Sequence, residues 1–80
     1  MNNDKLKQRI QIGDHIRFAR ESSHVTQAEL AQAVKTTQAM ISRYEMGEQE
    51  PTVSRLIDIA KALKIKPSQL LDPTQRSPPA

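Results

Sequence analysis

Within six positions of this 80-residue chain stand Gln38, Ala39, Ser42 and Arg43, a set suited to reading hydrogen-bond patterns rather than to making or breaking bonds. A glutamine side chain presents a donor and an acceptor in one plane. That matches the N6/N7 edge of adenine, a bidentate pairing worth roughly 1–3 kcal/mol of discrimination. Arg43 reaches guanine or falls back onto phosphate, while Ala39 and Ser42 are small enough to sit against a thymine methyl or a polar base edge. Nothing comparable is arranged for catalysis. The chain has no Cys and only two Gly, hence no thiolate nucleophile and no glycine-rich phosphate loop. His15 and His24 have no second ligand at metal spacing and are expected to be exposed. These residues predict a non-enzyme that needs neither metal nor cofactor.

A short helix must hold the four side chains in register, and local signals mark one. Thr37 is a credible N-cap for it. Ahead of it, Thr26-Gln27-Ala28-Glu29 forms a capping box, in which the Thr26 hydroxyl accepts from the Glu29 amide and the Glu29 carboxylate reaches back to the Thr26 amide. Thr52 caps a later helix behind Pro51, Gly47 supplies a left-handed stop, and Pro67 suits the first turn of a short final helix. Apolar residues recur at helical spacing as Ile12, Ile16 and Ala19; Leu30, Ala31 and Val34; Met40, Ile41 and Tyr44; and Leu56, Ile57, Ile59, Ala60 and Leu63. No stretch alternates with the period of a strand. The prediction is an all-α fold with helices at about 9–22, 27–34, 37–45, 53–63 and 67–71. A domain over 9–72 would then lie between a flexible N-terminal arm, 1–8, and a disordered, proline-rich tail, 73–80. Phe18 falls off the buried stripe, so it packs on the N-terminal segment with Leu6 and Ile10 or joins a subunit contact; Leu70 and Leu71 carry the same ambiguity.

Residues 26 to 45 therefore read as two short helices joined by a tight turn, the layout of a helix-turn-helix, with Ala31 where the two backbones approach. In that layout the second helix points its N-terminal side chains into the major groove of DNA. Gln27 begins the preceding helix, where free amides and the helix dipole favour a phosphate. Thr26, Thr36 and Thr52 can donate hydroxyls to the phosphate backbone, setting register without reading sequence, and Arg17 is a further phosphate candidate. The net charge of +3 is unevenly spread. Residues 1–20 carry five cations against two carboxylates and residues 61–80 four against one, whereas 21–60 carry three against six. The reader thus lies in an acidic stretch, and the loop after it contains Glu48 and Glu50, leaving backbone amides and Gln49 as its phosphate donors. Modest, salt-sensitive binding is the expectation.

The run Gln27-Ala28-Glu29-Leu30-Ala31-Gln32-Ala33-Val34, then Thr36-Thr37-Gln38, then Glu45 and Gly47, resembles the DNA-binding domain of lambdoid phage repressors and Cro, within the Xre-type helix-turn-helix family. The likeness spans about residues 9–71 and takes in Pro51-Thr52 and Ile59-Ala60-Lys61-Ala62-Leu63. It implies a compact five-helix lambda-repressor-like domain with base contacts at Gln38, Ala39 and Arg43, a phosphate contact at Gln27, and an internal ion pair between Arg20 and Glu45. There are departures. Lys35 and His24 stand where the family usually has Gly, and positive φ there costs about 1–2 kcal/mol each. The loop at 47–51 is acidic where related repressors are basic.

The function implied is a sequence-specific regulator of transcription that binds double-stranded DNA, a repressor acting as a homodimer on a palindromic operator with recognition helices about 34 Å apart. Two alternatives share the fold. One is an antitoxin that also holds a toxin; the other is a bridging module that contacts the transcription machinery and touches DNA weakly. No apolar run approaches the roughly 20 residues of a membrane helix, and nothing resembles a secretory signal, so a cytoplasmic protein of a bacterium or phage is expected. With no second domain expected, control would come through expression level, degradation or a partner.

Overall fold

The computed structural model describes residues 3–71 and consists there of five helices: α1 (Asn3–Ser22), α2 (Gln27–Ala33), α3 (Gln38–Glu45), α4 (Val53–Leu63) and α5 (Ser68–Leu71). Each boundary lies within a residue or two of its expected place except the first. The N-terminal arm expected over 1–8 is helical from Asn3, so α1 runs 20 residues. Its first turns have no buried apolar residue before Ile12, which is why periodicity did not reveal them. The tail expected at 73–80 lies outside the described residues.

Helix starts follow the capping chemistry. Thr26 Oγ1 accepts from the Glu29 amide at 3.0 Å and Glu29 Oε1 accepts from the Thr26 amide at 2.9 Å, completing the capping box. Thr37 and Thr52 each accept from the amide three residues on, at 3.1 Å.

Helix ends share one device. After α1, α2, α3 and α4 the chain passes through a left-handed residue, respectively His24, Lys35, Gly47 and Lys64, with φ of 59°, 60°, 75° and 60°. In each case the following amide bonds back five residues: Val25 to Arg20, Thr36 to Ala31, Glu48 to Arg43 and Ile65 to Ala60, all at 2.9–3.1 Å. These are Schellman motifs, and they satisfy carbonyls that a helix terminus would otherwise orphan. Three of the four positions were expected; Lys64 was not. Its left-handed backbone carries a Cβ, so Lys64→Gly is expected to stabilise the domain by about 1 kcal/mol, read as a rise in the urea midpoint with unchanged slope.

Ile12, Ile16, Leu30, Ala31, Val34, Ile41, Tyr44, Leu56, Ile59, Ala60, Leu63 and Leu70 form one core, with Ala19, Val25, Met40, Ala62 and Ile65 packed around it. Helix α3 lies against α1 and α2, and α5 closes the base against α1. Ile57, expected inside, is exposed, and Leu70 resolves to the core while Leu71 stays outside. The expectation for His15 is overturned: it is 3% exposed. Its Nδ1 lies 2.9 Å from the Leu70 carbonyl, which can only accept, so Nδ1 carries the proton and donates. This bond explains how a polar ring is tolerated in the core and ties the four-residue α5 to α1. Arg55 makes a similar tie, its Nη1 donating to the Val34 carbonyl at the end of α2.

Candidate nucleic-acid interface

Helix α3 divides cleanly into two faces. Ile41, Tyr44 and Glu45 are buried and Met40 partly so, while Gln38, Ala39 and Arg43 are exposed and Ser42 is half-buried. At 3.6 residues per turn, Gln38, Ser42 and Met46 form one outward row and Ala39 and Arg43 the next. The four residues first singled out therefore share a surface, with Gln38 in the first turn just behind the Thr37 cap. Met46, to which no role had been given, extends the same row and is 62% exposed. Its signal in the sequence was a large apolar residue four positions after Ser42, immediately before the glycine stop.

Behind this face sits a polar brace. Arg20 Nε donates to Glu45 Oε2 at 2.6 Å and Nη2 to Glu45 Oε1 at 3.1 Å, a bidentate pair between α1 and α3. Arg20 Nη1 also donates to the Val25 carbonyl at 2.9 Å, and Gln27 Nε2 donates to Glu45 Oε1 at 3.0 Å. One carboxylate thus collects donors from α1 and α2 and fixes where α3 points. The hydrogen bond to Glu45 raises the Arg20 guanidinium above its already high ordinary value, against the opposing effect of burial. A raised cation contributes stability that is complete below the unfolded value and is lost only as pH climbs through the folded one. That window lies far above neutrality, so the Arg20 side of the pair is charged at any working pH.

The phosphate candidates fall into three situations. Thr26 and Thr52 are exposed and use their oxygens as caps, which leaves each hydroxyl hydrogen free to donate outward; Thr36 is half-buried in the turn. Gln27 is half-buried and committed through one amide hydrogen to Glu45, so it serves the brace as well as the N-terminus of α2. Arg17 is exposed and pairs with Asp14 at 3.1 Å, a contact that water and salt weaken. The loop narrows one expectation. The amides of Gly47, Glu48 and Gln49 turn back onto the carbonyls of Tyr44 and Arg43, so the donors left to the loop are the Glu50 amide and the side-chain amide of Gln49.

Among the described residues no group of acidic, His or Cys side chains could hold a metal, and no helix is long and apolar enough to cross a membrane.

A helix-turn-helix family model, HTH_3, matches residues 16–70. The HTH-type transcriptional regulator DicA of Escherichia coli strain K12 is 35% identical over 71 residues, covering 85% of this chain and 53% of that protein. The chain thus spans about half the length of this curated relative. Among solved structures, the P22 c2 repressor in complex with a synthetic operator superposes with a TM-score of 0.71 at 34% identity, over 76% of this chain and 92% of that one. The restriction-modification controller protein C.AhdI from Aeromonas hydrophila gives a TM-score of 0.80 at 22% identity, over 84% of this chain and 97% of that one, a likeness of fold.

Proposed function

This chain belongs to the HTH_3 helix-turn-helix family, and we propose that it is a sequence-specific DNA-binding regulator of transcription, a repressor that occupies a palindromic operator as a homodimer in the cytoplasm. The observation that carries the reading is the outward face of α3. Gln38, Ala39, Ser42 and Arg43 are offered together on a helix whose opposite face is locked by Ile41, Tyr44 and the Glu45 brace. A helix fits the major groove, where donor and acceptor patterns distinguish all four base pairs. The similarity to a repressor solved with an operator supports the same docking.

In this mode Gln38 pairs with adenine, Arg43 with guanine or the flanking phosphate, and Ala39 and Ser42 fit against base edges. Thr26, Gln27, Thr36, Gln49, Thr52 and Arg17 position the domain on the two phosphate walls. Only the first group carries sequence information.

Selection of bound duplexes from a random library, with the full chain at fixed salt, tests the proposal. One palindromic sequence is expected to enrich. Gln38→Ala should lose roughly 5- to 150-fold on that sequence, the equivalent of one bidentate base contact, and little on random duplex. Arg17→Ala, by contrast, should weaken both alike and lower the slope of log affinity against log salt by about one. Equal affinity for selected and random duplexes at matched salt would sink the proposal.

A further inference from the structure

We infer that Met46 is a specificity-determining residue that reads a thymine methyl at the end of the site distal to Gln38, an inference that rests on the base-reading role proposed above. A methionine is the soft, adaptable apolar side chain normally spent on filling a core, and this one stands 62% exposed. The exposure is not a by-product of poor packing nearby. Its neighbours Tyr44, Glu45 and Gly47 are all buried, and the backbone at Met46 keeps helical geometry with φ −89° and ψ −1°. Met46 therefore continues the outward row of Gln38 and Ser42 by one more turn.

Its direction along that row matters. Side chains on a helix lean toward the N-terminus, so a residue at the end of α3 covers the surface one turn behind it. The Ser42 hydroxyl confirms the lean, donating to Met46 Sδ at 3.6 Å. The thioether thus lies over Ser42, one turn beyond Gln38 on the outward row, rather than splayed toward the loop.

The chemistry follows from what the pair exposes. A thioether methyl offers no strong hydrogen bond, and the one apolar group that base edges present in the major groove is the C5 methyl of thymine. Because the Ser42 proton is directed at sulfur, the Ser42 oxygen is left as an acceptor, suited to an adenine or cytosine amino group beside that thymine. Other large exposed apolar residues, Leu6 and Ile10 on the first turns of α1 and Val53 at the start of α4, lie outside this row.

The test uses the enriched duplex, with each thymine replaced in turn by deoxyuridine, which removes only the C5 methyl. Wild-type chain is expected to lose about fourfold at one thymine in each half-site, the equivalent of one methyl group returned to water. Met46→Ala should bind the unmodified duplex about fourfold more weakly and lose nothing further at that position. Met46→Gln, similar in length but polar, should behave like the alanine variant. Equal losses for wild type and both variants at every deoxyuridine would overturn the role of Met46 while leaving the regulator reading intact. Failure of any sequence to enrich would remove the regulator reading, and this inference with it.

Discussion

Gly13→Ala is expected to destabilise the domain by about 3 kcal/mol, although the same change in a solvent-exposed helix interior stabilises by roughly 0.5–1 kcal/mol. The reversal comes from the approach of α1 to α3. A Cβ at position 13 would lie 2.2 Å from the Tyr44 carbonyl oxygen and 2.7 Å and 2.9 Å from the Glu45 carbonyl oxygen and carbon. These are backbone atoms at the end of α3, so no side-chain rotation relieves them. The helices must separate, and separation also pulls Arg20 away from Glu45 across the same interface. Single domains of this size hold only about 5–10 kcal/mol in all. The loss should appear as a fall of roughly 12–24 °C in the thermal midpoint and a matching drop in the urea midpoint. Gln11→Ala, an exposed site two residues away on α1, is the control and should change neither by more than about 0.5 kcal/mol. A neutral or stabilising Gly13→Ala would mean that α1 and α3 do not approach as closely as described.

Gly13 also marks where the sequence stops being legible. Capping boxes and glycine stops are written in a few consecutive residues, so Thr26, Thr37, Thr52 and Gly47 could be placed from local chemistry alone, whereas His24 and Lys35 were placed by the family resemblance, which usually has Gly there. Lys64 escaped because nothing in its side chain signals a left-handed backbone; its helix ends there because Ala60 and Ile65 pack into the core on either side. Gly13 sits three residues before Ile16 on an apolar stripe, a position where a glycine hints at close approach, but which backbone approaches it is set by the tertiary fold. His15 is the clearest case. Its acceptor, the Leu70 carbonyl, is 55 residues away, and no local rule pairs them. The outward face of α3 was readable because helical periodicity separates Ile41 and Tyr44 from Gln38, Ala39 and Arg43. Met46 drew no role from the sequence because an apolar residue next to a buried pair looks like core until its exposure is known.

The largest electrostatic effect is expected from Arg20→Ala, a loss of about 3–5 kcal/mol. The Glu45 side chain is 3% exposed and Arg20 12%, so the carboxylate is largely shielded from water and solvates poorly once the guanidinium is gone. The carboxylate would keep a single donor, Gln27 Nε2, where it now has three. Most of the penalty is the stranded charge rather than the worth of the pair, which gives a second measurement with an opposite sign. Adding Glu45→Gln to Arg20→Ala neutralises that charge in nearly the same volume and should return about 1–2 kcal/mol, whereas two independent losses would add. Neither change touches the outward row of α3. The double variant, assayed where it is folded, should therefore enrich the same duplex sequence as the wild type, while Gln38→Ala, with its brace intact, should not. That contrast separates holding the proposed recognition helix in place from reading with it, the two tasks assigned to Glu45 and Gln38, seven residues apart on one short helix.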